Sequence, residues 1–255
     1  MGNIGQSIAL IGGPLLAHRF GIAAPFLLFG LASLTWGIVF AIFARNARGK
    51  RVPKTIGQNF KFLRRTKLAW VLSLFYSLTF GGFVTLSIYL PTIYQETFSI
   101  NSTTAGALTA TFVIVATACR PFGGWVSDRI GGRKLLLIVL LGVFLIGWTL
   151  AIQSMLLFTL GSIGSAVLLG LGNGGVFKLV PEYFPKQTGT VTGLVGAAGG
   201  LGGFFPPIFL GVMKDMMGSY TFGFLALSLF GLICAGVLCI TFLEVNPPNS
   251  TVPSR

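Results

Sequence analysis

Long apolar stretches separated by short polar ones dominate the chain. The apolar segments run over 1–17, 22–44, 68–94, 104–126, 135–152, 156–178, 188–213 and 220–243. A helix needs about 20 apolar residues to cross the hydrocarbon core of a bilayer, and all but the first segment meet or approach that length. The segments lack the apolar–polar alternation of barrel strands. Lipid offers backbone amides no hydrogen bonds, so each segment has to satisfy its own as a helix. The pattern predicts an all-α integral membrane bundle of about eight spans, the first partial and starting as if in mid-helix.

Composition agrees. Only 9% of residues are charged and 53% are hydrophobic, whereas a soluble domain carries about a quarter charged residues. The 36 glycines fall largely inside apolar segments, where small residues let membrane helices approach closely. Cys119, Cys234 and Cys239 also lie in apolar runs, as packing residues rather than a disulfide framework. Residues 1–17 lack the basic start of a secretory signal; the first basic residue is Arg19.

The net charge of +13 changes the picture through its placement. Segment 45–67 holds Arg45, Arg48, Lys50, Arg51, Lys54, Lys61, Arg64, Arg65 and Lys67 with no acid. Arg129, Arg133, Lys134, Lys178, Lys186 and Arg255 fall on the same side by alternation, so 15 of 18 basic residues share it. Arg19 and Lys214 lie opposite, and Arg120 is inside a span. Basic residues between spans mark the cytoplasmic side, so 45–67 is expected to be a linker facing lipid headgroups, not a nucleic-acid surface. The C-terminus is expected in the cytoplasm of a cell or inner membrane.

A repeat is also visible. Gly2, Gly5, Gly13, Phe26 and Leu27 recur at one constant offset as Gly200, Gly203, Gly211, Phe224 and Leu225. Five spans lie between the copies, giving a six-helix period, as in transporters built from duplicated halves. The expected organisation is 1–44 as the end of an N-terminal half, 45–67 as linker, 68–243 as a six-helix C-terminal half, and 244–255 as tail.

Three groups of residues could carry chemistry. Gly124, Asp128, Arg129, Gly131 and Arg133 stand in a turn on the basic side. Its glycines permit a tight bend, Asp128 suits a helix N-terminus, and the bases suit carbonyl ends or lipid phosphate. The bland alternative is an ordinary anchored turn. Arg120 lies about six residues, roughly 9 Å, from the expected end of its span. An ionisable residue inside a span usually faces a cavity or a partner, although snorkelling to the near headgroups is equally open on physics alone. Glu96, Asp128, Glu182, Asp215 and Glu244 all lie at span ends or in loops, so an anionic ligand is the natural counter-charge, and the planar guanidinium fork suits a planar oxyanion. The third group is glycine-rich: Gly170-Leu-Gly172-Asn173-Gly174-Gly175 and Gly193-x-x-Gly196-Ala-x-Gly199-Gly200-x-Gly202-Gly203. No strand precedes the first and no acid follows at nucleotide-fold spacing, so a dinucleotide site is excluded. Close helix packing explains most of these glycines.

These strings bring a resemblance into view. Gly124-x-x-x-Asp128-Arg129-x-Gly131 followed by basic residues such as Arg133 resembles the loop motif of the major facilitator superfamily, with Gly132 inserted; the resemblance implies that this turn acts as a gating latch. The glycine run 193–204, the Gly172–Lys178 string before it, and Gly2-Asn3-Ile4-Gly5-x-Ser7 resemble signatures of its nitrate/nitrite porters. The resemblance implies an incomplete major facilitator-type bundle that lacks helices one to four, and transport of nitrate or nitrite by alternating access. It further implies a substrate site at Arg120, Tyr76, Phe80, Asn173, Gly172, Gly199, Gly200 and Asn3. Tyr76 and Phe80 sit one helical turn apart and share a face; aromatic core packing would otherwise explain them. The partners implied are the anion, the bilayer and the missing N-terminal half, with no cofactor or metal. Alternatives are a porter for another small or organic anion, or a non-transporting membrane fragment. An enzyme ranks far lower, because the single histidine, His18, has no acid beside it.

Overall fold

The computed structural model describes residues 4–45 and 56–244. Asn3, residues 46–55 of the basic linker and the tail from 245 lie outside them. The described residues form α1 (Ile4–Phe20), α2 (Ala23–Phe43), α3 (Ile56–Arg65), α4 (Lys67–Phe98), α5 (Ser102–Ile130), α6 (Gly132–Ala151), α7 (Met155–Tyr183), α8 (Thr188–Met217) and α9 (Thr221–Glu244). Seven of these, α2 and α4 to α9, are long and apolar enough to cross a membrane.

The helices follow the apolar pattern but overrun it. The sequence places spans over 68–94 and 104–126, whereas α4 reaches Phe98 and α5 runs over 102–130. The added turns are polar yet still close their own hydrogen bonds. Asn101 caps α5 by accepting a bond from the Thr104 amide at 2.8 Å. Ser99 ends α4 in the left-handed conformation, φ 54°. The second half of the 45–67 segment forms the short helix α3. Phe62 of α3 packs edge-on against Phe184, ring centroids 6.2 Å apart, and Trp70 Nε1 donates to the Leu63 carbonyl at 3.0 Å. These contacts hold the short helix against the start of α4.

Between helices in lipid, close van der Waals packing does the work that water-exclusion does in soluble cores. The tightest pairs are α4 with α8 and α5 with α7. Gly81 lies against the Gly202 backbone and Gly202 against that of Ser77, so closely that a methyl on either would enter the other helix's backbone. Gly123 meets the Leu171 backbone, and Gly170 meets Ala116. Around these seams lie two apolar clusters. One, nearer the end away from the basic residues, centres on Phe83, Leu90, Tyr94, Phe158 and Phe224. The other, toward the basic end, centres on Leu72, Phe75, Leu136, Leu179 and Phe242. Large apolar side chains cover the outside, and α2, beside α1, has no buried residue. Trp70 and Trp125 sit near the basic ends of their helices and Trp148 near the opposite end, all exposed. Tryptophan prefers such interfacial positions.

Candidate functional site

α5 carries Arg120 ten residues short of its end at Ile130, about 15 Å at helical rise. The helix continues past Val126 through the polar residues Ser127, Asp128 and Arg129, which lengthen it without moving the guanidinium within the apolar span. The guanidinium turns inward. Its carbon lies 5.0 Å from the centre of the Phe83 ring and 5.6 Å from that of Phe80, both on α4. Two aromatic faces at this range stabilise a cation away from water.

Tyr76 stands one turn from Phe80. The rings stack with centroids 5.3 Å apart and 15° between planes, and Phe177 closes on Tyr76 edge-on at 4.7 Å. The spacing Tyr76, Phe80, Phe83 is the i, i+4, i+7 stripe of one helix face. Phe83 in turn stacks on Phe112 of α5 at 5.8 Å. The result is an aromatic wall with the arginine at its edge.

Asn173, on α7, is 2% exposed. Its Oδ1 accepts from the Thr79 hydroxyl at 2.9 Å, while its Nδ2 is buried with no hydrogen-bond partner among the described residues. The Thr117 hydroxyl, one turn before Arg120, is in the same condition. Buried donors are ordinarily satisfied, so each such group calls for a ligand or an ordered water. Gly174 brings α7 against the Arg120 carbonyl so closely that a Cβ there would overlap it. That contact fixes the level of Arg120 beside Asn173.

The glycines named from the sequence divide. A Cβ on Gly199 would strike the Tyr76 ring, and one on Gly172 would meet Thr79 Cγ2 at 2.7 Å. Both glycines let neighbours pack. Gly200 has nothing within 4 Å of a would-be Cβ, as do Gly193 and Gly196, so this stripe of α8 is uncovered. Asn3 lies outside the described residues.

The loop motif forms a separate assembly at the basic end. Gly131 bends the chain at φ 89°, and a Cβ on Gly132 would meet Leu179 Cδ2 at 2.5 Å. The extra glycine thus lets α6 start against α7. Gly124 shows no neighbour at its Cβ position. Asp128 does not serve a helix N-terminus; it pairs with Lys178 Nζ of α7 at 2.5 Å. Arg129 stacks over Trp125 at 3.8 Å. Arg133 Nε donates to the Tyr183 hydroxyl at 2.6 Å, and its Nη1 to the Phe242 carbonyl at 3.4 Å. It binds a carbonyl end, as the sequence reading foresaw for the basic residues. At the opposite end Glu96 accepts from the Tyr220 hydroxyl at 3.0 Å and lies 3.6 Å from Lys214 Nζ. This ties α4 to α8 and to the start of α9.

Phe83, Thr79 and Thr117 join these constellations without having been singled out, whereas Phe177 and Lys178 stood only as members of the Gly172–Lys178 string. Phe83 and Thr117 were within reach of helical spacing from Phe80 and Arg120.

Comparison with known proteins places this architecture. The sequence profile of the Major Facilitator Superfamily matches residues 1–177 and 72–255. The chain belongs to the Major Facilitator Superfamily. It is 39% identical over 228 residues to the nitrite extrusion protein of Bacillus subtilis, covering 89% of this chain and 58% of that protein. It is 35% identical to the probable nitrate/nitrite transporter NarK2 of Mycobacterium tuberculosis over all of this chain and 65% of that protein. With the probable nitrate transporter NarT of Staphylococcus epidermidis it shares 30% identity, over 99% of this chain and 64% of that protein. The chain therefore spans about three-fifths of the length of these relatives. Among solved structures it superposes on a bacterial homologue of the human lysosomal transporter Spinster, in an inward-facing, unoccupied conformation. The TM-score is 0.59, at 16% identity, covering 97% of this chain and 66% of that one. The superfamily and its fold are thus established. The chain is a multi-pass membrane protein of a transporter family.

Proposed function

We propose that this chain forms one side of a nitrate/nitrite transport site. The observation that carries the reading is the Arg120 guanidinium set over Phe80 and Phe83 within a membrane span. The names of the relatives, all nitrate or nitrite proteins, support it. In this reading a planar oxyanion lies against the Tyr76–Phe80 wall and accepts parallel N–H bonds from the guanidinium. The buried Nδ2 of Asn173 adds a neutral donor, and the uncovered glycine stripe of α8 offers room for approach. The relatives' remaining length supplies the facing side, and the site opens alternately as the halves rock. The Asp128–Lys178 pair and the Arg133 contacts stiffen the basic end, which is cytoplasmic in this orientation.

A porter for a bulkier organic anion is the second reading. The closeness of Tyr76, Phe80 and Phe177 speaks against it.

The test is Arg120→Lys, made in the protein expressed from its genomic reading frame and assayed for nitrate flux in proteoliposomes. Lysine keeps the charge and loses the planar fork. A charge-assisted bond contributes about 1.5–3 kcal/mol, so nitrate affinity is expected to fall tenfold or more at unchanged protein level. Wild-type affinity in Arg120→Lys would remove Arg120 from the substrate site.

A further inference from the structure

We propose that the crevice between α4, α8 and α9 is a slot for one anionic phospholipid, its acyl chain in the crevice and its phosphate held by Arg64 and Lys67. This stands independently of the substrate reading.

Two hollows, of about 360 and 260 Å³, share Ser77, Phe205, Pro206 and Phe230 and so form one channel along α4. It runs from Trp70 at the basic end to Leu86. Sixteen residues of helix measure about 24 Å, ample for an acyl chain that has to cover half of a hydrocarbon core about 30 Å thick. The walls are almost wholly carbon. The Ser77 hydroxyl is turned to the Leu74 carbonyl and that of Thr85 to Gly81, so neither presents a donor to an occupant.

The crevice opens to lipid. Ala198, Leu201 and Phe205 of α8 line it, whereas Gly193, Gly196 and Gly200 centre about 140° away around the helix at 100° per residue. A partner packed on the glycine stripe would therefore leave the crevice uncovered.

The mouth is basic. Lys67 sits one turn from Trp70 on the same face of α4. The Trp70–Leu63 bond brings the last turn of α3, with Arg64 and Arg65, to that mouth. All four side chains are exposed, and no acid occurs between 45 and 67. An apolar slot ending in clustered cations and an interfacial tryptophan matches the anatomy of an anionic lipid, whose phosphate such bases attract. A free phosphate would have no use for the slot, and a neutral lipid none for the bases.

The experiment is native mass spectrometry of the purified 255-residue chain, equilibrated in mild detergent with equal amounts of phosphatidylglycerol and phosphatidylcholine. Wild type is expected to retain phosphatidylglycerol preferentially. Each removed charge should cost about fivefold, the equivalent of ~1 kcal/mol per basic side chain at a membrane surface. Arg64→Gln/Lys67→Gln should therefore lose most of the preference while still retaining lipid. Ala198→Trp should fill the slot and reduce retention of both lipids. Leu201→Trp, which replaces a side chain already exposed, should do the same without disturbing packing. Free inorganic phosphate should not compete. Undiminished retention in both tryptophan variants, or an unchanged preference in the double glutamine variant, would overturn the proposal.

Discussion

Adding one methyl group to α8 separates the two roles its glycines play. A Cβ at position 202 would lie 2.7 Å from Ser77 Cα and 2.8 Å from Ser77 C, and closer still to the carbonyl oxygen. Ordinary contacts of this kind are about 3.4–4 Å. The obstacles are backbone atoms of a 32-residue helix, which cannot rotate away as a side chain would. α4 and α8 have to part by about 1 Å, losing dispersion along the seam, including the Gly81 contact. Overpacking of this kind costs about 1–3 kcal/mol. The better helix propensity of alanine returns at most ~1 kcal/mol. The net expectation for Gly202→Ala is a loss of about 1 kcal/mol, and up to ~2 kcal/mol where the seam gives least. At Gly200 nothing stands within 4 Å, so Gly200→Ala keeps only the propensity gain. A change of 1 kcal/mol moves Tm by about 2–4 °C in a chain of this size. Thermal unfolding of the detergent-solubilised chain, followed by circular dichroism, should show Gly202→Ala several degrees below wild type and Gly200→Ala level or above. Equal shifts for the two variants, or no loss at 202, would refute the seam.

Three other outcomes are expected. Asp128→Asn should change Tm little, because both partners of the Lys178 pair are well exposed and such pairs contribute about 0–1 kcal/mol; nitrate flux should fall instead, and full flux would dismiss the latch role. Burial, reinforced by the bond to Glu96, pushes the Tyr220 hydroxyl up to about 12. A group whose pKa is raised on folding stabilises fully below its unfolded value near 10. Stability should thus decline from pH 10 to 12, and a pH titration of Tm should show Tyr220→Phe losing that part of the decline. In a cysteine-free background, Asn101→Cys should react with an impermeant maleimide from outside intact cells and Lys186→Cys only after lysis; the reverse would invert the topology.

The helices were legible because lipid forces each span to advertise itself in consecutive apolar residues. Their ends were not. Glu96 looks like a loop residue, yet it stays in α4 because Tyr220 and Lys214, far along the chain, come to meet it. α3 was hidden by its charges; what holds it is the Phe62–Phe184 contact, which no local pattern shows. At the site, the spacing of Tyr76 and Phe80 and the lone charge of Arg120 could be read directly. The Thr79–Asn173 bond could not, since it joins residues 94 apart. Nor could the difference between Gly199 and Gly200, adjacent glycines of which one is pressed to a tyrosine and the other faces open space. That difference lies in how α8 is rotated, which only packing decides.

The contact between Gly174 and the Arg120 carbonyl has a consequence for how the proposed site would change its substrate. The position of the cation is set by a residue that has no side chain to offer a ligand. Any larger residue at 174 would push α5 outward and carry the guanidinium with it, retuning the spacing between charge and the Asn173 amide. Selectivity could then drift through substitutions that a survey of ligand-facing residues would overlook. Grafting Arg120, Tyr76 and Asn173 onto another bundle would fail to reproduce the site unless the empty place opposite the carbonyl were grafted too.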